Sequence, residues 1–200
     1  RPCRAGAPSP AIALRGPVPR HLVACLETYP SRHRFSGRLE PESQVHQRQH
    51  LHRLPFVHGT TAPIYFVTAC TCDRRRILAC PPAACVIRKV FEGSLEHWGW
   101  RIGRYVVMPD HVHFFCAPED PVLGDLSSLV RRFKSLSALR LQREGVPCPV
   151  WQAEFFDHLL RHGESYQQKW EYVRNNPVRA GLVQEAGDWA FQGEIDEIPA

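Results

Sequence analysis

Two runs of β-branched and aromatic residues, 100–107 and 111–117, flank Met108-Pro109-Asp110 and constrain this 200-residue chain more than any other feature. Runs of this kind form strands, and a Pro-Asp pair between them makes a tight turn. The two strands are therefore predicted to lie side by side as an antiparallel pair. In the second, His111 and His113 are two residues apart, so alternation sends both to one sheet face with Cα atoms roughly 7 Å apart. Val112, Phe114 and Cys116 point the other way and suit a core. Two neutral imidazoles so placed can grip one divalent cation. The same spacing also occurs in ordinary, partly exposed strand histidines, and the pair alone does not choose between the two.

The neighbouring pattern builds a sheet around this hairpin. Ile64-Tyr65-Phe66-Val67-Thr68 reads as a first strand, bounded by Pro63 and by the charged turn Asp73-Arg74-Arg75-Arg76. After Pro81-Pro82, the residues Ile87, Val90, Phe91, Leu95 and Trp98 recur at helical spacing until Gly99 stops the helix. Leu126, Leu129, Val130, Phe133 and Leu136 form the apolar stripe of a second helix that ends at Gly145. An extended segment is predicted over 150–159, then a last helix from Ser165 that Pro177 ends. The order strand, helix, strand, strand, helix, strand, helix predicts a ferredoxin-like α+β fold, an antiparallel sheet with helices. That fold hosts many functions, so the site must decide.

Outside this unit the sequence changes character. Residues 1–53 are rich in Pro, Arg, Ser and His without helical or alternating period, and are predicted to be disordered or a misread upstream extension. Their run His46-Gln47-Arg48-Gln49-His50-Leu51-His52 reads as a solvated polar stretch rather than a metal site. The chain starts at Arg1 and its one methionine is Met108, so its natural start is expected elsewhere or at an unusual codon. The ordered domain is predicted over 54–191, with 192–200 as a tail. A net charge of +5 and a pI near 8.9 favour a polyanionic partner. Eight cysteines without CxxC spacing point to free thiols in a reducing cytoplasm. No apolar run suits a bilayer and no export signal is legible, so membrane insertion is not expected.

The last helix supplies a second set of chemical groups. Tyr172 and Asn176 are four residues apart and share a helical face, while Tyr166, Trp170 and Val173 form a separate apolar face. A phenol oxygen beside a cation that polarises a phosphodiester can attack phosphorus, and Asn176 offers a neutral carbonyl oxygen as a third ligand. A half-buried aromatic at a helix end is the plainer account of Tyr172. The second helix carries Arg131, Arg132 and Lys134 on its polar side, and Arg104, Arg174 and Arg179 lie nearer the proposed centre. These cations are candidates for DNA phosphates, with a merely solvated charged face as the competing account.

The segment Tyr105-Val106-Val107-Met108-Pro109-Asp110-His111-Val112-His113-Phe114 is followed by Tyr172-Val173-Arg174-Asn175-Asn176-Pro177-Val178-Arg179-Ala180-Gly181-Leu182-Val183. Together they resemble the REP-associated tyrosine transposases, members of the single-tyrosine HUH transposase superfamily. The resemblance takes in Ile64-Tyr65-Phe66-Val67-Thr68, Trp151-Gln152-Ala153-Glu154-Phe155-Phe156-Asp157-His158 and Asp188-Trp189, and so covers about 54–191. It implies an HUH nuclease fold, His111 and His113 as metal-binding histidines, Tyr172 as nucleophile and Asn176 as the residue completing the metal site. It also implies a Mg²⁺ or Mn²⁺ cofactor and recognition of short palindromic hairpins with an adjacent tetranucleotide, with a monomer favoured and a dimer left open.

Imidazole is softer than Mg²⁺ prefers, so Mn²⁺ is expected to bind more tightly. Structural zinc is disfavoured for want of a fourth strong ligand, with His158 read as a strand residue. The expected activity is cutting and rejoining of single-stranded or hairpin DNA through a 5′-phosphotyrosine intermediate. Two other accounts stay open: a domesticated hairpin-DNA-binding protein without cleavage activity, and a metal-dependent hydrolase that activates water.

Overall fold

The computed structural model describes residues 63–120, 125–160 and 166–198. The expectations for residues 1–53, for the 46–52 histidine run, for a domain start at Leu54 and for a helix start at Ser165 lie outside these residues.

The strands are β1 (Tyr65–Cys70), β2 (Trp100–Val107), β3 (His111–Pro118), β4 (Phe156–Leu159) and β5 (Gln192–Glu194). The helices are α1 (Pro81–Glu92), α2 (Ser94–Trp98), α3 (Leu126–Arg143), α4 (Tyr166–Arg174) and α5 (Asn176–Arg179). One sheet runs β4-β1-β3-β2-β5 with every pairing antiparallel. The β1-α1-α2-β2 crossover leaves room for one strand, which β3 fills. The ferredoxin-like expectation therefore holds, with β5 added at the edge.

Local chemistry explains most boundaries. Pro81 and Pro82 start α1, where missing N–H groups are tolerated, and Gly99 ends α2 at φ 68. The helix read as continuous from Pro81 breaks at Gly93 into α1 and α2. Asp125 caps α3 by accepting from the Ser127 and Ser128 N–H groups. Buried Ser137 then ties that helix to the segment before β4, accepting from Trp151 Nε1 at 2.9 Å.

The sheet separates two cores. Val112, Phe114 and Cys116 of β3 join Val67, Ala69 and the buried faces of α1 and α3 in the larger one, as their parity predicts. Phe66, Val106, Phe115 and Ala117 face the other way and pack against Val173, Trp189 and Ile198. Tyr166 and Trp170 of α4 lean on this second core. A register shift in β2 between Ile102 and Tyr105 sits at Gly103, where a Cβ would lie 2.7 Å from both Tyr166 Oη and Ile198 Cδ1. A larger residue there would have to displace the Tyr166 hydroxyl and the end of the buried Ile198 side chain.

Two expectations need correction. Pro177 does not end the last helix: α4 stops at Arg174, Asn175 makes a turn, and Pro177 lies in the first turn of α5. Proline restricts its predecessor but is well tolerated at a helix start, so it opens a new segment. Residues 192–198 are not a tail, since β5 pairs with β2 and Ile198 is buried. The six cysteines among the described residues are free thiols. Among these residues no helix is long and apolar enough to cross a membrane.

Candidate active site

His111 and His113 share the sheet face opposite α1 and α3, and their Nε2 atoms lie 3.0 Å apart. Each ring is fixed through its other nitrogen. His111 Nδ1 meets Asp110 Oδ1 at 2.6 Å, and His113 Nδ1 meets Thr68 Oγ1 at 2.8 Å. Thr68 stands opposite His113 in the β1–β3 register, so pairing places it. Asp110 is set by its own backbone, whose carbonyl accepts from both the N–H and hydroxyl of buried Thr71. Phe66 stacks on His113 with ring centroids 5.4 Å apart.

The electrostatics keep the pair suited to a cation. Burial pushes His113 far below the usual imidazole range, to about 3, helped by the charges of His111, Arg179 and Arg74 and opposed by Asp110. His113 is therefore neutral near pH 7. Burial alone would raise the Asp110 carboxyl, but its hydrogen bond and charge interaction with His111, together with Arg74 3.6 Å away, bring it below the ordinary carboxylate range. An ionised Asp110 only accepts, so His111 donates from Nδ1 and turns its Nε2 toward His113. Such a facing pair needs either one proton or one cation between the nitrogens, and the donor set fits a divalent metal. Among the described residues no group of three or more His, Cys, Asp or Glu side chains forms a metal site.

The remaining site residues divide into three groups. Tyr172 is 60% exposed on α4, and Asn176 is the first residue of α5, so the two do not share one helix as the four-residue spacing implied. Arg179 links them: its guanidinium carbon lies 4.0 Å from the Tyr172 ring centroid, and its Nη2 donates to Asn176 Oδ1. Arg179 is also among the charges that hold the His113 pKa low.

Arg104 and Arg174 are engaged elsewhere. Arg104 bonds Glu194 and Gln167 and stacks near Tyr166 and Trp170. Arg174 pairs with Glu171 at 3.5 Å.

On α3, Arg131 and Arg132 are exposed, but that helix covers the sheet side facing away from the imidazoles. Lys134 is not free to meet phosphate, because its Nζ donates to the Gln152, Ala153 and Glu154 carbonyls at 3.0, 3.1 and 2.8 Å. Burial lowers its pKa, a direction opposed by Glu154. His158 sits on β4 opposite Phe66, and no metal group of three or more includes it.

A ferredoxin-like sheet with paired imidazoles on one face and an exposed tyrosine on a neighbouring helix has the layout of the HUH class. The chain belongs to the IS200-like transposase family, whose model, described as "Transposase IS200 like", matches residues 60–176. It is 32% identical over 95 residues to a REP-associated tyrosine transposase of Escherichia coli (strain K12), covering 46% of this chain and 53% of that protein. It is 29% identical over 98 residues to an uncharacterized protein of Haemophilus influenzae (strain ATCC 51907 / DSM 11121 / KW20 / Rd), covering 39% of this chain and 54% of that protein. The chain thus spans about half the length of these curated relatives. A solved REP-associated tyrosine transposase bound to a REP hairpin superposes with a TM-score of 0.56 at 24% identity, covering 66% of this chain and 77% of that one. The resemblance read from the motifs stands, and this likeness carries the α+β fold.

Proposed function

We propose that the protein is a metal-dependent DNA transposase and endonuclease that cuts and rejoins single-stranded or hairpin DNA through a 5′-phosphotyrosine on Tyr172. The convergence of His111 Nε2 and His113 Nε2 at 3.0 Å, with both Nδ1 atoms held, carries this reading. It is supported by the exposed Tyr172, joined through Arg179 to Asn176 and to the charge environment of His113. His111 and His113 would hold Mg²⁺ or Mn²⁺ with the Asn176 oxygen as third protein ligand, and the bound ion would polarise the scissile phosphate.

The Tyr172 phenol oxygen attacks phosphorus, a new phosphorus–oxygen bond forms, and the bond to the 3′ oxygen breaks. The phenolic proton departs and the leaving oxygen becomes a 3′-hydroxyl. A second 3′-hydroxyl reverses the step, and because the covalent link conserves the phosphodiester energy, no nucleotide cofactor is required. Palindromic hairpin DNA is the proposed partner, bound by a cytoplasmic monomer. Arg179, on the Tyr172 ring, is the proposed phosphate contact at the centre. Exposed Arg131 and Arg132 lie on the far side of the sheet and would meet only flanking DNA, whereas Arg104, Arg174 and Lys134 are already paired within the fold.

The test is a denaturing gel of end-labelled hairpin DNA from the gene's own neighbourhood, incubated with Mn²⁺ and either wild type or Tyr172→Phe. A protease-sensitive adduct in wild type alone is the expected result. Cutting by both proteins would transfer the chemistry to activated water and end the tyrosine reading.

A further inference from the structure

We propose that Arg179 couples metal loading to DNA binding, holding the Asn176 amide oxygen in the free protein and releasing it when a DNA phosphate takes the guanidinium. The inference rests on the reading of Asn176 as the third protein ligand. Three observations carry it.

The first is position. Arg179 lies one turn after Asn176 on α5 and donates to its Oδ1, the atom a metal would need. The same guanidinium stacks on the Tyr172 ring at 4.0 Å. One cation therefore spans the nucleophile and the third ligand, which the turn at Asn175 has separated onto two helices.

The second is charge. Arg74, Arg88, Arg101, Arg104 and Arg174 each face a carboxylate, at Asp110, Glu92, Glu119, Glu194 and Glu171. Among the described residues no carboxylate forms an ion pair with Arg179, whose guanidinium instead meets the Asn176 amide oxygen and the Tyr172 ring. A guanidinium without a carboxylate partner repels a dication that must draw on the same amide oxygen.

The third is chemistry. A phosphodiester is the partner a planar guanidinium binds best, through two parallel hydrogen bonds. A phosphate arriving at Tyr172 meets Arg179 directly, cancels its charge and frees Asn176 Oδ1. DNA and metal then strengthen each other's binding by the same factor, because coupling free energy is reciprocal.

The experiment measures Mn²⁺ affinity by titration calorimetry on the full chain, with and without a hairpin oligonucleotide carrying a single-stranded flank. A Tyr172→Phe background prevents turnover while keeping the ring under Arg179. In this background the hairpin tightens Mn²⁺ binding, and Arg179→Ala raises DNA-free Mn²⁺ affinity about tenfold, within the usual range for coupled sites. The same substitution shrinks the hairpin's enhancement by a matching factor. Arg179→Gln, which keeps an amide donor without charge, shows the same direction and guards against loss of fold in the alanine variant.

DNA-free Mn²⁺ affinity that is unchanged or weaker in both variants, with thermal melting intact, overturns the coupling. His111→Ala separates that failure from failure of the underlying reading. If His111→Ala binds Mn²⁺ as tightly as its parent, the imidazole centre is not the metal site and both readings fall.

Discussion

At the scale of single residues, period-two alternation places His111 and His113 together from the sequence alone, because side-chain direction in a strand is a local property. What makes them a site is not local. Thr68 is 45 positions from His113, and only the β1–β3 register brings its hydroxyl to Nδ1. Thr68→Val keeps the shape and removes that partner, leaving the His113 ring free to change tautomer. We expect a roughly 10- to 100-fold loss of Mn²⁺ affinity, the usual effect of removing a partner that orients a ligating histidine. Calorimetric titration alongside thermal melting checks this, and an unchanged affinity would remove Thr68 from the site. Lys134 shows the limit of local reading, since helical phase correctly gives it a polar side, but a segment 18–20 residues later covers it with three carbonyls.

Elements with strong periodicity were legible and short ones were not. Strand β2 follows its β-branched run from end to end, whereas Gln192-Gly193-Glu194 has no apolar alternation and becomes β5 only because the edge of β2 is available. The divided α4 and α5 have a comparable origin: proline signals a boundary without saying on which side a helix lies. What holds α4 is its anchor Tyr166, whose Oη accepts from the Arg104 N–H at 3.1 Å while its ring packs on Phe115.

Burial raises the Tyr166 phenol above its ordinary 10.0, partly opposed by that hydrogen bond, and burial raises Tyr105 likewise. A phenol raised in the fold contributes stability that is fully present below the unfolded value near 10 and lost as pH rises through the folded value. Wild type should therefore lose stability above pH 10. Tyr166→Phe should cost about 1 kcal/mol at pH 8 through the lost hydrogen bond, yet lose less than wild type between pH 8 and 11. Urea melts at both values test this, and parallel losses would show that Tyr166 is not the titrating anchor. Lys134→Met should likewise lower stability by roughly 1–3 kcal/mol by leaving carbonyls without a donor, read from the urea midpoint.

For the whole molecule, the decisive feature is that one sheet divides two cores of unequal size. Among the described residues, the core under α1 and α3 contains 24 buried hydrophobic residues, and the core under α4 contains eight. Within α4 only Val173 is fully enclosed, at 1% exposure, while Tyr172 one position earlier stays open. The helix bearing Tyr172 is thus fastened to the sheet by much less apolar surface than α1 or α3, and regions held this way open without global unfolding. Strands β1 and β3, which position the imidazoles, are shared by both cores and should open only with the whole protein. Val173→Ala removes the enclosed anchor at a cost of roughly 2 kcal/mol, on the scale of buried methyl deletions. Where exchange follows the opening equilibrium, hydrogen exchange in α4 should then quicken about 30-fold, since 1.4 kcal/mol is a factor of ten. Amides of β1 and β3 should slow or quicken only as global stability changes. The discriminating quantity is the wild-type opening free energy: values for α4 as high as those for β1 and β3 would mean that the two cores unfold as one unit and that the helix bearing Tyr172 has no motion of its own.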